Sequence, residues 1–161
     1  MLHVNERYVD ETRDEKGNVV DYQYKYPENF NFAYDVVDAI AEAEPGRRAM
    51  IWCNPCGEEH VFTYGDLKRY SDKTANMLRA KGIGKGDMVM VVLKRHYQFW
   101  FSILALHKIG AVVIPATNLL VEHDFDYRFK AAEVKAIVCT SDGDTAHQAE
   151  LGEKNYGWRQ A

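Results

Sequence analysis

Met88-Val89-Met90-Val91-Val92-Leu93 is an unbroken apolar run between two stretches of helical periodicity. A strand with no polar alternation has no solvent-facing side, so this run predicts a strand buried on both faces, as at the centre of a parallel sheet. Upstream, Leu67, Tyr70, Ser71, Thr74, Ala75 and Leu78 mark one face of a helix that runs to about Lys81. Thr63 and Asp66 give that helix a capping-box start, and Gly82 is its expected C′ residue. Downstream, the pattern predicts a helix from about His96 to Ile109 ended by Gly110, and a strand over Ala111–Pro115. A helix of roughly Glu122–Ala132 and a strand over Ala136–Thr140 follow. Helices alternating with apolar strands define an α/β class, a partial doubly wound sheet with helices on both faces.

Two further pieces precede this core. Residues 1–26 read as an N-terminal arm, with a charged, turn-like segment over 11–18 and Tyr22, Tyr24 and Tyr26 at alternate positions. The arm holds a predicted short strand at 19–25 that needs a partner, and Pro27 closes it. Asn31 is a suitable N-cap for a helix from Phe32 to Ala43, stopped by Pro45-Gly46. Two strand-like runs, 49–53 and 58–63, flank Asn54-Pro55-Cys56-Gly57 and read as a β-hairpin. The domain division expected is therefore 1–26 as the arm and 27–161 as one incomplete α/β domain.

Charge narrows the function. Twenty Lys and Arg against 24 Asp and Glu give a formal net charge of −4, without the basic excess of a nucleic-acid binder. The longest apolar stretches are too short to cross a bilayer, and Met1-Leu2-His3-Val4-Asn5 lacks the apolar centre of a signal peptide. Cys53, Cys56 and Cys139 are an odd set that fits a reducing compartment, so the expected location is cytoplasmic.

Local motifs carry little chemistry. Trp52-Cys53-Asn54-Pro55-Cys56 resembles the Trp-Cys-Gly-Pro-Cys redox site of thioredoxins, with Asn54 in place of Gly. A low-pKa thiolate needs a helix N-terminus beside it, and Gly57-Glu58-Glu59-His60-Val61-Phe62 predicts a turn and a strand instead. A hairpin turn is the better reading. A zinc site from Cys53, Cys56, His60 and Cys139 would want a second close pair, which is missing. Gly82-Ile83-Gly84-Lys85-Gly86-Asp87 follows a helix and opens a strand, the reverse of a phosphate-binding loop. His96-Tyr97-Gln98-Phe99-Trp100-Phe101 reads first as core packing. No Ser-His-Asp or Gly-x-Ser-x-Gly pattern is present, so no catalytic or metal-ligating residue is assigned.

Four ordered blocks do carry a resemblance. Phe62-Thr63-Tyr64-x-Asp66-Leu67 continues through Ser71, Ala75 and Leu78 to Gly82-Ile83-x-x-Gly86-Asp87. Leu93-x-Arg95-x-Tyr97-x-Phe99-Trp100, Gly110-Ala111-Val112-x-x-Pro115-x-Thr117, and Tyr127-Arg128 with Ala132 and Lys135-Ala136-Ile137-Val138 follow in order. Together with Pro27-Glu28-Asn29-Phe30-Asn31-Phe32-Ala33, they resemble the N-terminal region of AMP-forming acyl-CoA synthetases of the adenylate-forming superfamily, in the medium-chain and aromatic acyl-CoA branch. The resemblance covers about residues 27–142.

The resemblance implies a two-step ligase reaction for the parent enzyme. A carboxylate attacks the α-phosphate of Mg-ATP to give acyl-AMP and pyrophosphate, and the thiol of CoA then displaces AMP. ATP, Mg and CoA are the implied cofactors, and a carboxylic acid is the implied substrate. The family's phosphate loop and catalytic lysine have no counterpart in these 161 residues, so this chain alone is expected to be inactive and to bind none of the cofactors tightly. The one functional loop implied here is Thr117, Asn118, Leu119 and Leu120, with Ala116 before them, approaching the nucleotide end of CoA. Adenine packing on Leu119 and Leu120 is expected there. The rival readings are a non-catalytic scaffold or binding remnant and a thioredoxin-like redox module. Incomplete coverage of the apolar strands also predicts self-association through an exposed sheet edge. Neither nucleic-acid binding nor a membrane span is expected.

Overall fold

The computed structural model describes residues 4–156. The described residues form two compact units, divided between Lys68 and Arg69.

The first unit opens with α1 (Asn5–Tyr8), β1 (Val9–Arg13) and β2 (Val19–Tyr24). The two strands pair antiparallel with Val9 opposite Tyr24. The predicted arm strand thus finds its partner in β1. Asp14 shapes the connection: its Oδ1 accepts the N–H groups of Lys16 and Asn18 at 2.9 and 2.8 Å. Gly17 supplies the left-handed residue that the turn requires, at φ 83°.

The predicted helix over 32–43 is present in two pieces. A π-helical stretch, Phe32–Asp38, is followed by α2 (Ala39–Ala43). Asn31 caps it as expected, its side chain accepting the Ala33 N–H at 3.0 Å. Strands β3 (Arg48–Cys53) and β4 (Glu59–Thr63) form the expected hairpin, with Trp52 opposite His60. Asn54 Oδ1 accepts the N–H groups of Cys56 and Glu58, each at 3.0 Å, which explains the tight turn. Helix α3 (Tyr64–Ala80) begins in this unit. Thr63 Oγ1 accepts the Asp66 N–H at 3.1 Å while Asp66 Oδ2 accepts the Thr63 N–H at 3.0 Å, so the capping box forms as read.

The second unit holds a three-stranded parallel sheet of β5 (Met88–Val92), β6 (Val112–Pro115) and β7 (Ala136–Cys139), in the order β6-β5-β7. Helices α4 (Gln98–Ile109), α5 (Glu122–Ala132) and α6 (Thr145–Tyr156) complete it. Alternate residues of the central strand feed two cores. Val89 and Val91 pack with Ala75 and Leu78 of α3 and with Ala105, Leu106 and Ile109 of α4. Met90 and Val92 pack with Phe125 and Phe129 of α5 and Ala149 of α6. The four strand residues are fully buried, so β5 is covered on both faces. The mixed α/β class holds. Helix α4 starts at Gln98, not His96, because Leu93 to His96 close a turn in which the His96 N–H bonds the Leu93 carbonyl at 2.9 Å.

Candidate functional site at the carboxyl end of the parallel sheet

In the strand order β6-β5-β7, the chain leaves β5 for one neighbour and then crosses to the other. The direction of winding reverses beside β5, and ligands of open α/β sheets settle in the crevice that this reversal leaves beyond the carboxyl ends of the strands. Three loops gather there: 93–97 after β5, 116–121 after β6 and 140–144 after β7.

The first loop turns through Lys94, whose φ of 43° puts a non-glycine residue in the left-handed region. Such a conformation costs of order 1 kcal/mol and persists only where the surroundings impose it. Lys94 and Arg95 are exposed and place two cationic side chains after the central strand. His96 Nε2 lies 3.5 Å from Asp142 of the third loop, joining the loops that follow β5 and β7. Asp142 is itself held by its N–H, which bonds Thr140 Oγ1 at 3.1 Å.

The second loop contains the sequence-predicted site. The Ala116 N–H donates to the Val91 carbonyl at 3.0 Å and fixes the loop's origin against the central strand. Thr117 is exposed, Asn118 is half-buried, and Thr117 Oγ1 accepts the Leu119 N–H at 3.3 Å. Leu119 stands 79% exposed. Leu120 is buried in the core with Met90, Phe125 and Phe129. Thr117, Asn118 and Leu119 thus remain on the accessible side of the loop.

Burial raises the Cys139 thiol pKa and lowers that of His107, so both are held neutral. Cys53 and Cys56 are exposed at the β3–β4 turn, and the element after them is a strand. Among the described residues no group of three or more His, Cys, Asp or Glu side chains is arranged to hold a metal ion. Nor is any helix long and apolar enough to cross a membrane among them.

Sequence reasoning did not find α6 or the His96–Asp142 contact. Ala146, Ala149 and Gly152 recur at a spacing of three and could have signalled α6. The contact joins loops 46 residues apart and has no local signature.

The chain belongs to the AMP-binding enzyme family, whose model matches residues 37–157. Among curated proteins, it is similar to the rat (Rattus norvegicus) mitochondrial acyl-coenzyme A synthetase ACSM5, at 40% identity over 127 residues covering 75% of this chain and 22% of the relative. It is also similar to human (Homo sapiens) mitochondrial ACSM3, at 34% identity over 124 residues covering 73% of this chain and 21% of the relative. The chain therefore spans about a fifth of the length of these relatives. Among solved structures, a benzoate CoA ligase from Burkholderia xenovorans LB400 superposes with a TM-score of 0.68 at 22% identity, covering 80% of this chain and 24% of that one. The N-terminal domain of FACL13 from Mycobacterium tuberculosis gives 0.63 at 20% identity, covering 73% and 29%. These two establish the likeness of fold.

Proposed function

We propose that this chain is the N-terminal part of an AMP-forming acyl-CoA synthetase that activates a carboxylate as acyl-AMP and passes the acyl group to CoA. The observation that carries the reading is the match to the AMP-binding enzyme family over residues 37–157, the span that builds the parallel sheet and its three loops. The carboxyl end of that sheet takes the nucleotide end of CoA. Its residues suit such a ligand: Lys94 and Arg95 supply positive charge for phosphates, Thr117 and Asn118 supply polar groups, and exposed Leu119 offers an apolar face to a base. ATP and Mg, which drive adenylation, are held by segments outside these 161 residues. Residues 1–26 act as the arm and 27–161 as part of the large domain.

The test is a chimera in which residues 37–157 replace the matched segment of a relative such as the rat ACSM5 enzyme. The expected result is carboxylate-dependent pyrophosphate release followed by thioester formation. Asn118→Ala in that chimera should raise KM for CoA several-fold and leave ATP–pyrophosphate exchange unchanged. A folded chimera that forms no acyl-AMP overturns the reading, and equal effects of Asn118→Ala on both half-reactions remove the CoA assignment. The 161-residue chain by itself should release no pyrophosphate above buffer level.

A further inference from the structure

The first unit contains a cavity that the ligase reading does not use. It measures about 520 Å³ and is bordered by Tyr8, Tyr24, Tyr26, Phe30 and Phe32, with Val4, Val9 and Val36 completing its wall. Its volume falls within the roughly 300–1,000 Å³ range of small-molecule sites. The cavity draws on residues 4–36, ahead of the 37–157 span that the family model matches.

Two features define what such a space would hold. The rings form a continuous wall: Tyr8 and Phe30 have centroids 5.0 Å apart, Tyr26 and Phe30 6.0 Å, and Tyr24 and Tyr26 6.3 Å. No lining residue is basic or acidic, so no fixed charge in the wall opposes a cation or pairs with one. The segment is also acidic. Eight of the chain's 24 acidic residues but only four of its 20 basic ones lie within residues 1–36, so the whole formal charge of −4 sits on this stretch. Electron-rich ring faces in a negative field attract an organic cation more strongly than a neutral molecule of the same shape.

We propose that this aromatic cavity is a binding site for an organic cation, a substituted ammonium whose N-methyl groups sit against Tyr8, Tyr24, Tyr26 and Phe30. The ring faces recognise the diffuse positive charge, and the valines take the apolar remainder of the ligand. Tyr22 beside Tyr24 raises the Tyr24 pKa from its ordinary 10.0, the direction that favours the neutral phenol. A neutral ring wall suits a soft cation that gains little from a point charge. The site is built from residues of the first unit alone.

Choline and its uncharged carbon isostere 3,3-dimethyl-1-butanol separate this from simple apolar binding. Titration of the 161-residue chain, followed by NMR of the ligand methyl protons, should show choline binding on the order of fivefold more tightly than the alcohol. The choline methyl signals should move upfield through ring currents. Tyr24 and Tyr26 are 65% and 62% exposed, so neither replacement empties a buried core position, and a thermal melt of each variant checks its fold. Tyr24→Ala and Tyr26→Ala should each weaken choline severalfold, while Tyr24→Phe, which keeps the ring, should not. Equal affinity for the two probes, choline binding unaffected by Tyr24→Ala, or no choline binding at millimolar concentration would each overturn the proposal. Preference for the alcohol would make the cavity an apolar pocket only.

Discussion

Asp87 does the most at the end of the sheet opposite the ligand loops. Its Oδ2 accepts the Gly84 N–H at 2.7 Å and Lys135 Nζ at 2.8 Å, while Lys135 Nζ also reaches the Gly82 carbonyl at 2.8 Å. One carboxylate thereby ties the turn before β5 to the residue that precedes β7. The Lys135 hydrogen bond, helped by the Gly84 N–H, holds the Asp87 pKa below its ordinary 3.8. A lowered folded-state pKa means that this stabilisation is complete above pH 3.8 and drains away as pH falls through the depressed value. Asp87→Ala should therefore cost about 1–2 kcal/mol at neutral pH. Urea midpoints of the two proteins should converge as the pH is lowered below 3.8; a constant gap would show that the carboxylate's charge is irrelevant. The residues that were legible in advance are those whose partners are close in sequence. Thr63 and Asp66 are three apart and write their capping box into the chain, whereas Lys135 and Asp87 are 48 apart and do not.

Elements show the same division between local and distant causes. Helix α3, strand β5 and the β3–β4 hairpin follow from periodicity, an apolar run and turn chemistry, each contained within at most 17 consecutive residues. Strand β1 is exposed along most of its length, so it carries no apolar alternation that would mark it; its identity comes from pairing with β2. The π-helical turn at Phe32–Asp38 was hidden for a related reason. Its wider winding keeps Ala33 and Val37 inward, the residues an ordinary helix would also bury, so the pattern cannot tell the two apart. A loop after β6 follows from the strand before it, but the inward packing of Leu120 depends on Phe125 and Phe129 of the next helix. Helix α6 rests on a close approach. A Cβ at Gly152 would lie 2.7 Å from Phe125 Cβ and 3.0 Å from both the Asp126 nitrogen and the Glu122 carbonyl oxygen of α5. Two of those three neighbours are backbone and cannot swing aside, so Gly152→Ala should force α6 outward. The expected loss is about 1–3 kcal/mol of stability by overpacking, despite alanine's better helix propensity. A thermal melt reads it directly: a rise in Tm would show that helix propensity dominates.

At the scale of the whole molecule, the parallel sheet leaves its margins open. Among the described residues β6 and β7 each pair only with β5, so the outer edges of both carry hydrogen-bonding groups with no strand beside them. Their side chains are at most half-buried, in contrast to the fully buried central strand. The tyrosine-rich arm does not repair this, because β1 and β2 pair with one another in a sheet of their own. Open edges template further pairing. Covering even about 400 Å² of apolar surface per chain is worth on the order of 10 kcal/mol before the cost of association. We therefore expect the 161-residue chain to form a dimer or larger assembly at micromolar concentration. Deleting residues 1–26 separates the two contributions. It strips Tyr8 and Tyr26 from the ring of Phe30, and so should lower Tm. It leaves β6 and β7 untouched, and so should leave the association in place. Light scattering across a dilution series, run on both chains, distinguishes the outcomes: a monomer at every concentration means that the sheet edges do not drive assembly, and a dimer lost on deletion means that the arm does.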